Sequence, residues 1–274
     1  MLAMWKGKKW SSGRMYIGRL LNDIFQQSRY MLNNVNVKIK LTRAEPEFAL
    51  MNHTGTAKAR FEINSAKLSI RRVRVSPAVM IAHQKVLAKS NAIYPFSQKH
   101  VQAYTLLKGS KTFVKENLYN GKTPKLLIVG MLNSSNFNGM FTANPYNFVH
   151  KNVTLVSLKR DGENVPFQAY TPNFAATGGD WLREYLSIYL CCNMIGREEK
   201  LSFTYDDYAK GYTFFVFNLT PDLSMTDPVT YASNLRLEMG FKENLDVDVT
   251  LLTFAVFDGV LEVDQYRHAY VTDV

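Results

Sequence analysis

Five histidines and one cysteine pair are the side chains with most scope for metal or nucleophilic chemistry: His53, His83, His100, His150, His268 and Cys191-Cys192. None of the histidines is spaced as a metal-binding pair, and none neighbours the cysteines in sequence. Adjacent cysteines cannot form a CxxC redox pair and read as two small residues at a helix end. No G-x-S-x-G elbow is present. Gly121-Lys122-Thr123 has the ending of a phosphate loop, but Glu116 stands where that loop requires glycine. Pro124 and an apolar run follow, where a helix would have to present its N-terminus to phosphate, so the stretch reads as a turn. Among carboxylates, Asp206-Asp207 read as a solvated turn, and Asp246 with Asp248 as the solvent face of a strand opposite Val247 and Val249. The four N-x-S/T sites, at Asn52, Asn133, Asn152 and Asn218, are idle without a secretory route. The sequence therefore assigns no catalytic, no cofactor-binding and no metal-binding residue and predicts a protein that is not an enzyme.

Charge is distributed unevenly. Residues 1–125 carry 23 Lys+Arg against 5 Asp+Glu, a net +18, whereas residues 126–274 carry 10 against 18, a net −8. Lys67 with Arg71, Arg72 and Arg74, and separately Lys6, Lys8 and Lys9 with Trp5 and Trp10, could contact phosphates. Alternation places Arg72 and Arg74 together on the polar face of a strand, and no zinc, helix-turn-helix or RNA-recognition signature accompanies them. Specific nucleic-acid recognition is not expected. A basic face of one copy meeting an acidic face of another accounts equally well for the asymmetry.

The elements that would carry these residues are mostly strands. The 274-residue chain is 46% hydrophobic and 20% charged, a globular balance, and its 17 Phe and 15 Tyr lean towards sheet. No window of about 18 apolar residues exists, so no transmembrane helix is expected. The N-terminus lacks the apolar stretch of a signal peptide, and two cysteines build no disulfide framework; a reducing, non-secreted setting is expected. Val35–Leu41 alternates strictly, and Ala66–Val75 alternates with a slip at Arg71-Arg72 that suggests a bulge. Further strands are expected at Val101–Leu107, Thr112–Leu118, Lys125–Leu132, Val153–Leu158, Tyr212–Leu219, Leu235–Phe241, Val247–Phe257 and Leu261–Val263. The continuously apolar Lys125–Leu132 predicts a strand buried on both faces. Helices are expected after Ser76-Pro77, at Trp181–Leu190 behind Gly178-Gly179-Asp180, and on the stripe Ile17, Leu20, Leu21, Ile24 and Phe25, all three covering the core. Long connections at Asn133–Asn152, Pro166–Asp180 and Pro221–Ser233, with no βαβ rhythm, predict an all-β antiparallel sandwich or jelly roll. Val73, Leu127, Val129, Phe215, Phe217, Leu237 and Phe254 are expected in its interior.

The order of these segments resembles a family. Ile17–Leu41 is similar to the stretch closing the first barrel of double-jelly-roll major capsid proteins, as encoded by Polinton (Maverick) elements and adintovirus-like DNA viruses. Ala66–His83 resembles the strand and helix that open their second jelly roll. Pro124–Leu132, Asn144–Phe148 and Val153–Gly162 resemble its middle strands, and Gly211–Asp222 with Asn234–Gly240 its penultimate pair. The resemblance runs from about Gly13 to the end and rests on order and spacing, with no single diagnostic motif; most of the first jelly roll has no counterpart. It implies residues 1–52 as a remnant of the first jelly roll and 53–274 as the second. It further implies a structural subunit of a trimeric pseudo-hexagonal capsomer in an icosahedral shell. Its partners would be neighbouring capsomers and a minor capsid (penton) protein, and its place the virion, assembled in nucleus or cytoplasm. A basic β-sandwich module binding nucleic acid or another anionic partner is the alternative.

Overall fold

The computed structural model describes residues 15–52, 60–196, 201–220 and 232–273. The described strands are β1 (Ala92–Leu106), β2 (Thr112–Leu118), β3 (Leu126–Asn133), β4 (Val153–Arg160), β5 (Glu163–Asn164), β6 (Phe214–Asn218), β7 (Leu235–Phe241), β8 (Val249–Val263) and β9 (Ala269–Asp273). Short helices punctuate the connections: α1 (Pro46–Ala49), α2 (Pro77–Leu87), α3 (Ser134–Asn138), α4 (Leu182–Cys191) and α5 (Tyr205–Tyr208). One sheet runs β1-β8-β3-β6, with β9 also on β8; the other runs β2-β7-β4-β5. Every pairing between these strands is antiparallel. From β1 to β8 the chain changes sheet at every step except that from β4 to β5. That alternation, with strand eight beside strand one and seven beside two, is a jelly roll.

The pleat explains why these segments pair this way. Leu127, Val129 and Met131 of β3, Phe215 and Phe217 of β6, and Leu251 and Ala255 of β8 share the inner face of one sheet. They meet Val156 and Leu158 of β4 and Leu235, Leu237 and Met239 of β7 from the other. The opposite face of β3 is covered as well. Leu126 and Ile128 lie beneath α4, in a second cluster with Ile188, Tyr208, Val216 and the half-buried Phe254. Double burial is why Lys125–Leu132 lacks polar alternation. Gly130 meets a different demand: a Cβ there would lie 2.7 Å from Cδ1 of Phe148, whose ring packs on Phe214.

Several sequence expectations are corrected. Val35–Leu41 and Ala66–Val75 form no strand, and Val73 is 49% exposed rather than interior. Alternation defines two faces, but a strand also needs a neighbouring edge to take its N–H and C=O groups, and neither stretch has one. Residues 17–25 give only a 3-10 turn, Asp23–Gln26, capped by Asn22. The helix α2 starts on its Ser76 cap and Pro77 as expected, yet it buries only Leu87 and is no core cover. Asp246 and Asp248 precede β8 instead of lying in it, and Asp206-Asp207 sit in α5. Strands β5 and β9 and the first half of β1 were not foreseen. Pro95 masked the last of these, and it is tolerated because β1 is an edge strand. Lys6, Lys8, Lys9, Trp5, Trp10 and His53 lie outside the described residues.

Phe217, at 1% exposure, sits in the middle of the inner face. Its replacement by Ala is expected to cost about 3–5 kcal/mol in denaturant titration, and a loss below ~1 kcal/mol would contradict this packing.

Candidate functional site

No catalytic residue was expected, and among the described residues no three His, Cys, Asp or Glu side chains converge on a point that could hold a metal. The outer face of the β2-β7-β4-β5 sheet is hydrophilic. Across it, Arg236 pairs with Glu116 at 3.0 Å and lies 2.7 Å from Glu238, while Lys159 reaches Glu238 at 3.1 Å. The Arg236 Nε–H is not aligned on that carboxylate, so the contact is an ion pair more than a hydrogen bond. Half-exposed pairs of this kind contribute about 0.2–1 kcal/mol each and chiefly keep the face wet.

The outer face of the other sheet carries an aromatic cover at its β6 end. His150 stacks on Phe174 (4.3 Å between centroids), Phe174 on Trp181 (5.5 Å) and Trp181 on Tyr205 (5.2 Å). Trp181 Nε1 donates to the Tyr205 carbonyl at 3.2 Å, which ties the start of α4 to α5. Thr204 and Asp207 form a capping box at the start of α5, and hydrogen bonds from Thr204 hold the Asp207 carboxyl below its usual range. His150 is structural: Nδ1 accepts the Asn152 N–H at 3.0 Å, and burial, with Lys151 beside it, lowers its pKa. Lys151 in turn pairs with Asp246 at 2.8 Å, and that hydrogen bond is the main reason the Asp246 carboxyl is also lowered.

Beneath the cover, three side chains satisfy the free edge of β6. Tyr208 donates to the Phe214 carbonyl at 2.7 Å, Tyr170 to the Val216 carbonyl at 2.8 Å, and the Cys191 thiol to Val216 at 3.4 Å. An open edge invites another strand; this one is closed by side chains. Burial raises the Cys191 thiol and pushes Cys192 up to about 11, which favours the thiol over the thiolate at neutral pH. Both lie at the end of α4, as the sequence predicts, and both are free. Sequence reasoning missed Glu184. It is 3% exposed on the inner side of α4, and burial raises its pKa despite a hydrogen bond from the Thr171 backbone. Its type gives no sign of burial; its i−4 position from Ile188 is the one available hint.

The β1 edge is closed over about a third of its length, from Ile93 to Ser97. Arg29 donates to the Ile93 carbonyl at 2.7 Å, Gln27 Nε2 to the Pro95 carbonyl, and Asp23 accepts the Ser97 N–H at 2.7 Å. Ile24, Met31, Leu32 and Val35 pack there against Tyr94, Leu261 and Val263. The N-terminal third nevertheless leaves much apolar surface in water. Ile17, Leu21, Val37 and Leu41, then Ile63, Leu68 and Ile70, then Ile81 and Val86 of α2, are each more than half exposed. Arg71, Arg72 and Arg74 are exposed beside them.

Among the described residues no helix is long and apolar enough to cross a membrane. No protein-family model matches the chain. An uncharacterized protein of Caenorhabditis elegans is 23% identical over 270 residues, covering 92% of this chain and 61% of that one. Structures similar in fold include the Sputnik virophage (TM-score 0.41, 15% identity), the mavirus major capsid protein (0.39, 10%) and the PBCV-1 virus capsid (0.42, 8%). They cover 67%, 67% and 71% of this chain. The chain spans only 39%, 42% and 54% of theirs.

Two outcomes test the β6 edge. Tyr170→Phe removes one donor to Val216 and is expected to lower unfolding free energy by about 1 kcal/mol, with an unchanged fold by circular dichroism. Glu184 has a raised folded pKa, so its carboxyl binds its proton more tightly in the native state. Its contribution is full below the ordinary Glu range and is lost as pH rises through the folded value. Glu184→Gln should therefore flatten the fall in melting temperature above about pH 4.5; an unchanged slope would contradict the assignment.

Proposed function

We propose that this chain is a structural subunit of a viral or transposon-encoded capsid, working by self-association and not by catalysis. The observation that carries the reading is a jelly roll whose N-terminal third leaves many apolar residues exposed. Apolar surface left in water on a folded domain favours association, because its exposure is unfavourable by roughly 25 cal/mol per Å². The segment-by-segment sequence resemblance to double-jelly-roll major capsid proteins supports the same role.

In the finer form of the proposal, residues 1–52 belong to a first jelly roll and 53–274 form the second. Three copies of the assembled subunit make a pseudo-hexagonal capsomer of an icosahedral shell in a virion, meeting other capsomers and a penton protein. Opposite charge in the two halves of the sequence would pair between copies. Residues 23–35 and 46–52 are the ties between the two parts: the first docks on β1, and Asn52 N donates to Phe141 O at 2.7 Å.

If the exposed N-terminal surface awaits a partner, the isolated chain should associate without a defined stoichiometry. Light scattering is expected to show a broad distribution, and limited proteolysis to cut before residue 55 while sparing the strands from β1 onward. A discrete, salt-insensitive trimer with a protected N-terminus would show instead that the chain completes its own interface.

A further inference from the structure

Residues 35–41 and 66–75 carry the alternation of strands but belong to no ladder. Their ends nevertheless meet twice. Arg43 Nη1 donates to the Phe61 carbonyl at 2.9 Å, and the guanidinium lies over the Phe61 ring, 5.0 Å from its centroid. At the other end, Leu32, Asn33 and Asn34 line a cavity of about 600 Å³ together with Arg72 and Val75. Residue 43 beside 61, and 32–34 beside 72–75, mean that the two stretches run in opposite directions between shared ends. Among the described residues no backbone hydrogen bond joins them, and Val37, Ile39, Leu68 and Ile70 are exposed. Two antiparallel stretches of matched length, each with unpaired N–H and C=O groups, lie within reach of one another.

We propose that these stretches close on each other as an antiparallel β-ribbon, with Val35 opposite Ile70, Val37 opposite Leu68 and Ile39 opposite Ala66. Residues directly opposite in an antiparallel pair share a face. This register therefore gathers those six side chains on one face and sets Asn36, Lys38 and Lys40 with Ser69, Lys67 and Ser65 on the other. A slip of one residue would oppose Val37 with Lys67 or Ser69 and mix the faces. Carried outward, the same register sets Arg43 opposite Glu62 and Asn33 opposite Arg72, which is where the ends already meet. Each stretch is the edge that the other lacks. Two features hold the ribbon open in the lone chain. A two-stranded ribbon with no covered face is marginal in water, and Lys38 falls opposite Lys67, a like-charge pair. A second copy of the chain offsets both, by covering the apolar face and by bringing residues 126–274, where 10 Lys+Arg meet 18 Asp+Glu. That coupling rests on the assembly reading; the register does not.

Paired cysteines in the full chain test the register. Val37→Cys with Leu68→Cys places two thiols directly opposite, within the span a disulfide bridges, whereas Val37→Cys with Asn64→Cys places them four residues out of step. Under mild oxidation of the associated protein, the first pair is expected to join within one chain about tenfold faster than the second. Peptide mass spectrometry tells this bond from any that involves Cys191 or Cys192. Equal rates for the two pairs, or a bond that joins two chains instead of one, would overturn the ribbon. A variant without new cysteines gives an independent reading. Lys38→Glu turns the like-charge pair with Lys67 into an attractive one and should slow amide exchange in both stretches at a dilution where the parent chain is open; no slowing would count against the register. Light scattering on the same samples separates the ribbon from the assembly reading. Association with no preference between the cysteine pairs overturns the ribbon alone, and in-register joining in a chain that stays monomeric at every concentration upholds the ribbon and overturns assembly.

Discussion

The fold depends on one ladder. Strand β8 pairs with β1 along all fifteen residues of both, from Ala92 opposite Val263 to Leu106 opposite Val249. On its other side it pairs with β3 and then with β9. Backbone groups inside a sandwich must be bonded, and β8 is where most of this sheet's bonds meet. Its inner residues Val249, Leu251 and Ala255 fix which face of each neighbour turns inward, since a one-residue slip would exchange core and solvent faces. A buried or half-buried pair reinforces the register, with Lys125 at the start of β3 donating to Asp258 of β8.

What remains is the handling of edges. The β6 edge is closed by Tyr170, Tyr208 and Cys191, and the aromatic stack from His150 to Tyr205 roofs it. The β1 edge is closed only from Ile93 to Ser97, by Asp23, Gln27 and Arg29. The exposed residues of 15–41 and 60–87 have the patterning of packed elements without the packing. One edge is thus sealed by side chains and the other only in part, with apolar residues of the N-terminal third left in water. This asymmetry, more than the fold class, is what the proposed assembly role explains.

The inner sheet faces were legible in the sequence because burial there is periodic. Thr112–Leu118 and Leu235–Phe241 match their strands residue for residue, and Lys125–Leu132 announced its double burial by continuous apolarity. Misreadings arose where local pattern needs a distant partner. Val35–Leu41 and Ala66–Val75 alternate as strands do, but nothing in a local pattern states whether an edge is available. Val73 failed for that reason, and Phe254 is only half-buried because it faces the helices rather than the other sheet. Tyr170 and Tyr208 escaped notice because their roles depend on which backbone carbonyl lies opposite them, and Glu184 because its burial depends on what α4 packs against. The placements of Gly121-Lys122-Thr123 and Cys191-Cys192 were read locally: Gly121 ends a 3-10 turn and the cysteines end a helix.

The central claim is that the exposed N-terminal third is an interface for association. Hydrogen–deuterium exchange of the full chain, followed as its concentration is raised, tests this most directly. The account predicts that protection grows within residues 15–41 and 60–87 as the chain associates, while strands β3, β6 and β8 are protected throughout. Association that leaves those two stretches exchanging as fast as in the dilute chain would contradict it.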